Sequence, residues 1–174
     1  MFRIETKRLS ARLARNNDSQ SLFERYTGRL KESRFLARLP HESATNTTEK
    51  LETWSTQDAW TKDNRLILVI EERKSQSAIG QLTLIRRRQS LEFHFGISHD
   101  FSGKGLVPEL LEGLVRSDLA SGCSLNTYCD CKHLDAQKVL EKAGFSKTGF
   151  EARKYQNPNK DNQWVDCFIY QRKG

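Results

Sequence analysis

No run in this 174-residue chain approaches the ~20 consecutive apolar residues of a bilayer-spanning helix, so neither a transmembrane segment nor a membrane partner is expected. The opening residues, Met-Phe-Arg-Ile-Glu-Thr-Lys-Arg, lack the apolar core of a signal peptide, which makes the cytoplasm the expected location. Internal repeats, linkers and low-complexity tracts are also missing. The length suits one domain, residues 1–174, with a substantial core. Metal-binding spacing is absent as well. The four cysteines, Cys123, Cys129, Cys131 and Cys167, fall late and irregularly. Cys129 and Cys131 lie close to His133, but structural zinc sites usually place two residues between paired cysteines and supply a second pair. Reduced thiols and no metal are expected. Aromatic and basic residues do not interleave as they do on single-strand platforms, so direct nucleic-acid binding is not expected either.

What the chain does have is positive charge, with 29 Lys and Arg against 22 Asp and Glu, a net +7. That suits an anionic ligand, or a nucleic-acid or ribosome-associated partner, and says nothing about fold. Arg86-Arg87-Arg88 is the one tight run and falls at an expected hairpin turn.

The chain is organised around the stretch from Leu91 to Leu111. Leu91, Phe93, Phe95 and Ile97 alternate with Glu92, His94, Gly96 and Ser98, the period of a strand. Gly103 and Gly105 follow at a turn. Then Val107, Leu110, Leu111, Leu114, Val115 and Leu119 recur at helical spacing. The first amides of a helix have no internal partner and sit at the positive end of its dipole. Glycines let an anion approach that backbone, so a strand feeding such a turn is a candidate phosphate cradle. Two glycines in a strand-to-helix turn are by themselves a weak signal.

Around this centre, Ile4 to Leu13 reads as a first strand. Asn16 to Ser19 offer caps for a helix carrying Leu22, Phe23, Tyr26 and Leu30, with Gly28 ending its first half and Phe35, Leu36 and Leu39 continuing the apolar surface up to Pro40. A second helix opens at Thr47, with Leu51, Trp54 and Ala59 on a partial stripe; Trp54 and Trp60 read as core or cleft-lining. Leu66–Ile70, Ala78–Ile85 and Leu91–Ser98 form an antiparallel meander, with Gly80 at a bulge or close approach. Gly122 reads as the end of the central helix. Ser124–Asp130 is a strand. Ala136, Val139, Leu140 and Ala143 define a last helix capped by Gly144. Phe145–Tyr155 and Gln163–Arg172 close with a hairpin. The expected fold is α+β, a mixed and mostly antiparallel sheet of about seven strands with about four helices. A helical crossover makes the fourth and fifth strands parallel, and they splay at their ends into a cleft.

The order of elements, the Phe101-Ser-Gly-Lys-Gly-Leu turn and the Val139-Leu-Glu-Lys-Ala-Gly-Phe145 run resemble the GNAT acyl-CoA-dependent N-acetyltransferases. Ile4-Glu-Thr-Lys-Arg-Leu-Ser-Ala-Arg12 and Glu92-Phe-His-Phe-Gly-Ile97 resemble the branch that acetylates ribosomal-protein N-termini. The resemblance implies acetyl-CoA as co-substrate, an amine acceptor such as a protein N-terminus, a peptide or a small amine, and no metal; a homodimer is left open. It places the phosphates on Ser102, Gly103, Lys104, Gly105, Leu106 and Val107. It places the pantetheine arm along Phe95 and Ile97 and beside His133, and the acceptor near Phe35 and Trp54. Glu92 is the expected general base, with His94 able to share that task, and Tyr128 and Tyr155 are candidate acids. The family motif is a Gln or Arg, two residues, Gly, one residue, then Gly or Ala; here Asp100 stands at its first position. Ala136 and Leu140 stand where relatives carry a Ser and a Tyr. Those departures keep two other readings open, an acyl-CoA-binding module with weakened turnover and a basic ribosome-associated protein without acyl transfer.

Overall fold

A computed structural model describes residues 2–173. Its centre is an eight-stranded sheet in the order β1-β2-β3-β4-β5-β6-β8-β7, with six α-helices around it. The strands are β1 (Arg3–Glu5), β2 (Leu9–Arg12), β3 (Arg65–Glu72), β4 (Ser77–Arg86), β5 (Ser90–Ile97), β6 (Ser124–Asp130), β7 (Ser146–Asn157) and β8 (Gln163–Lys173). The helices are α1 (Asp18–Leu22), α2 (Leu30–Ser33), α3 (Ala44–Trp54), α4 (Gln57–Lys62), α5 (Leu106–Val115) and α6 (Leu134–Lys142).

The first expected strand is instead a hairpin, which accounts for the extra strand. Thr6 turns the chain: its amide donates to the Leu9 carbonyl at 2.9 Å and its hydroxyl accepts from the Leu9 amide at 3.0 Å. Lys7 and Arg8 are thrown outward at the tip. The first expected helix also differs. After α1 the chain widens into a π-helical turn, Phe23–Thr27, closed by the Gly28 amide on the Phe23 carbonyl. One added residue per turn rotates the apolar stripe, so Leu30 ends exposed while Tyr26 is buried. The second helix starts at Ala44, not Thr47, because the Ser43 hydroxyl caps the Asn46 amide. It stops at Trp54, and a new cap at Thr56 starts α4, which puts Trp60 on a different helix. Helix α5 ends at Val115; Leu119 and Gly122 lie in the turns that follow, Gly122 at φ 71° just before β6. The meander β3–β4–β5, strand β6 and the final hairpin stand where the alternation places them.

Each face of the sheet carries one apolar layer. Leu106, Leu110, Leu111 and Leu114 of α5, with Leu140 of α6, pack on Phe93, Leu125 and Tyr170. Leu22, Tyr26 and Leu51 cover Ile67, Val69 and Ala78 on the other face. Gly80 is needed for strand contact: a Cβ there would lie 2.1 Å from the Gly96 carbonyl oxygen.

All neighbouring strands run antiparallel except β5 and β6, which are joined through α5. These two pair only at Ser90–Ser124, Leu91–Leu125 and Glu92–Asn126. From Phe93 onward the β5 edge facing β6 has no strand partner among the described residues. The expected splay is therefore present, and it opens toward the turn that leads into α5.

Candidate active site

The turn comes first. Past β5 the chain makes a 3-10 turn, His99–Phe101, in which the Ser102 amide donates to the His99 carbonyl at 2.9 Å. Ser102 was expected to offer a free amide, and that donor is already in use. The amides of Gly103, Lys104, Gly105, Leu106 and Val107 have no acceptor among the described residues. Gly103 and Gly105 have φ of 73° and 69°, conformations that favour glycine. Leu106 and Val107 bury their side chains in the core while their amides stay free, and Pro108 has no donor to lose. Such a turn can hold an anion. Lys104 folds back, its Nζ donating to the Asp100 carbonyl at 2.8 Å and lying 5.1 Å from the Phe101 ring centre.

Arg8, on the far hairpin, lies against this turn. Its Nη1 donates to the Lys104 carbonyl at 2.9 Å and its Nη2 to the Gly105 carbonyl at 3.2 Å. Its backbone amide and Nε both bond the Glu109 carboxylate, at 2.8 and 2.6 Å. No sequence pattern links Arg8 to residues about a hundred positions on.

On β5 the side chains of Phe93, Phe95 and Ile97 face the core that includes α5, with Phe95 and Ile97 half-buried where the strands part. Glu92, His94 and Gly96 face the opposite way. One Glu92 carboxylate oxygen accepts from Arg87 Nε and Nη2, at 3.0 and 2.9 Å; the other lies 3.0 Å from His94 Nε2. The bond to His94, together with Arg87 and against the effect of burial, holds the Glu92 carboxyl down at about 2. A carboxylate ionised to that depth has no proton to give, so Nε2–H is the donor. In the neutral ring Nδ1 is then the basic nitrogen. Across the splay, Tyr128 sets its ring edge-on to His94 with centroids 4.8 Å apart. Burial, reinforced by Glu92, pushes the Tyr128 hydroxyl up, so it stays protonated. Arg87, Glu92, Asn126, Tyr128, Glu151 and Lys154 line an open cleft of about 420 Å³.

Gly96 carries a further constraint. The Tyr26 hydroxyl sits so close that a Cβ on residue 96 would lie 2.0 Å from it. Replacing Gly96 with alanine is expected to cost about 1–3 kcal/mol by displacing a buried ring, read as a lower urea midpoint with an unchanged slope.

Phe35 and His133, expected in different subsites, form one stack with centroids 4.0 Å apart and 7° between planes. The Tyr155 hydroxyl donates to the Phe35 carbonyl, and Asn157 and Asn159 side chains donate to the carbonyls of Arg34, Ser33 and Arg38. Residues 33–38 are thereby fastened to the β7–β8 hairpin, and Tyr155 is tied to that loop. Trp54 packs on the Leu51–Ile67 layer, with the Arg65 guanidinium 4.9 Å from its ring centre. Trp60 is buried beneath Arg86. Burial pushes the Cys129 and Cys167 thiols up to about 12, which makes them poor nucleophiles. Among the described residues no cluster of His, Cys, Asp or Glu could hold a metal, and no helix is long and apolar enough to cross a membrane.

The sequence profile of the acetyltransferase (GNAT) domain matches residues 8–146. No curated protein gives a significant sequence match. Among solved structures, an acetyltransferase of the GNAT family from Bacillus anthracis is similar at 14% identity over 98% of each chain, with a TM-score of 0.82. A ribosomal-protein-S5-alanine acetyltransferase from Vibrio fischeri is similar at 13% identity over 98% of this chain and 96% of its own, with a TM-score of 0.80. A ribosomal L7/L12 alpha-N-protein acetyltransferase in complex with coenzyme A is similar at 13% identity over 98% and 97%, with a TM-score of 0.83. At these identities the likeness is one of fold, and the profile match carries the family. The chain belongs to the GNAT acetyltransferases, and its reaction is acyl transfer from acetyl-CoA to an amine.

Proposed function

We propose that the chain is one catalytic domain whose acceptor is the α-amino group of a protein or peptide N-terminus, and that His94 takes the proton from that amine. The observation that carries this reading is the Arg87–Glu92–His94 row on the cleft face of β5. The amides of Gly103 to Val107 hold the diphosphate of acetyl-CoA, the free β5 edge from Phe93 to Ile97 holds its arm, and His133 flanks that arm. Acetyl-CoA supplies an activated thioester carbonyl. An N–H on the same β5 edge faces the carbonyl oxygen as it gains charge.

An α-amine titrates near ~8 and a lysine near ~10.4, so an imidazole base suffices for the first and serves the second poorly. Glu92 fixes the tautomer of His94 and stabilises its protonated ring. At about 2 it is too weakly basic to deprotonate an amine itself. Tyr128, protonated and across the splay from His94, would donate to the departing sulfur. A coenzyme A thiol near ~8.5 leaves readily without such help, which fits the alanine and leucine at 136 and 140. Two of the similar folds are named for ribosomal proteins, one of them for α-N-acetylation, which favours an N-terminal acceptor.

Coenzyme A release measured on three acceptor sets tests this. Peptides with a free α-amine and no lysine are expected to react. The same peptides α-acetylated and carrying a lysine, and small primary amines, are expected to give background rates. Faster turnover of either of the last two overturns the reading.

A further inference from the structure

We propose that Arg8 is the positioning residue for the cofactor turn: it aims the amides that receive the diphosphate. The inference rests on the placement of the diphosphate at residues 103–107 and goes beyond it, to a residue on a separate hairpin.

A peptide group is planar and trans, so fixing its carbonyl oxygen fixes the following N–H in the opposite direction. Arg8 Nη1 holds the Lys104 carbonyl and Nη2 the Gly105 carbonyl. The N–H groups of Gly105 and Leu106 therefore point away from Arg8, and both lack a partner among the described residues. Glycine makes this clamp necessary. Gly105 at φ 69° has the freedom to leave that conformation, and a flip of either peptide plane would replace a donor at the anion with a carbonyl. A guanidinium on each carbonyl also polarises its peptide, leaving the opposite N–H more positive.

Glu109 completes the device. It lies in the first turn of α5, where a loose carboxylate would compete with a bound anion for the same amides. The Arg8 amide and Nε hold both of its oxygens instead. Burial opposes ionisation of Glu109, but the bonds from Thr6 and Arg8 outweigh it, and its carboxyl stays below the usual range. The charge is thus kept and neutralised beneath the turn. Arg8 reaches this position because Thr6 breaks the first strand into a hairpin with Arg8 beside its tip.

The test compares two donors with the same thioester: acetyl-CoA, and S-acetyl-pantetheine, which has no diphosphate. In Arg8→Gln, KM for acetyl-CoA is expected to rise at least about tenfold, the scale of one lost charge-assisted hydrogen bond, with kcat held. KM for S-acetyl-pantetheine is expected to stay within about twofold, because that donor does not use the turn. Arg8→Lys, which keeps the charge but cannot hold three acceptors in one plane, should fall between. If Arg8→Gln loses its fold, Glu109→Gln, which frees one side of the clamp, should show the same donor-selective rise at smaller size. Equal losses with both donors, or no loss with acetyl-CoA in both variants, overturn the proposal. Coenzyme A binding to the unaltered protein by calorimetry separates the two failures. Absence of that binding sinks the diphosphate placement, whereas normal binding that is unchanged in Arg8→Gln sinks only the role of Arg8.

Discussion

His94→Ala is expected to lower kcat/KM toward an N-terminal peptide by about 10²-fold or more, the usual contribution of a positioned base. Coenzyme A affinity and the melting temperature should hold. The side chain is half-exposed on the cleft face, and its ring bonds only Glu92, so its removal leaves no buried donor stranded. Glu92→Gln should cost less. The amide oxygen still accepts from Nε2–H, but the charge that stabilises a protonated ring is gone. The pH profile separates the two residues. With its carboxyl at about 2, Glu92 is ionised throughout the range in which an enzyme is assayed, so an acid limb seen there belongs to another group. Such a limb should survive in Glu92→Gln. Tyr128→Phe should lose far less, because the leaving thiol needs little acid. A His94→Ala enzyme within a few-fold of the unaltered one would remove His94 from the chemistry and leave solvent as the base.

The stretch from Leu91 to Leu111 was legible because two strong periods meet at a glycine turn, and each period reports which face is buried. The parallel β5–β6 pair followed from the helix between them, and the splay from that pairing. Strand alternation likewise assigns Glu92 and His94 to one face, where they meet in a hydrogen bond. The roles proposed for them were not legible, because the order of preference turns on Arg87, which reaches Glu92 only once the hairpin is closed. Arg8 was out of reach altogether, since its partners are Lys104, Gly105 and Glu109 and nothing local marks them. Tyr26 read as one more apolar position on a helix; the π turn that sets its hydroxyl on Gly96 depends on a rotation that periodicity averages away. The break at Ser55, which ends one helix at Trp54 and puts Trp60 on the next, is likewise invisible to a partial apolar stripe.

Arg12→Met is expected to destabilise the chain by about 3–5 kcal/mol, the cost of removing one partner from a buried charged cluster. The Arg12 guanidinium bonds both oxygens of Asp18, at 2.7 and 3.0 Å, and reaches Glu71 through Nε at 3.1 Å and through Nη2. All three residues are less than a tenth exposed. Burial works against the Arg12 charge, yet the bonds and charges of Asp18 and Glu71 raise its affinity for the proton above that of a free guanidinium. Methionine matches the aliphatic stem but leaves two carboxylates, each less than a tenth exposed, with only Arg15 to answer them. The cluster also ties three elements together, because Arg12 ends β2, Asp18 starts α1 and Glu71 lies on β3. Through α1 it sets the π turn, and with it Tyr26 against Gly96 on the cleft face. Urea unfolding of Arg12→Met measures the first effect. Activity per folded molecule measures the second and should fall as well. The triple replacement Arg12→Met, Asp18→Leu, Glu71→Leu should recover much of the stability, since an apolar cluster of similar volume carries no stranded charge. A single variant as stable as the unaltered chain would show that water reaches the carboxylates, and that hydrophobic packing alone holds α1 in place.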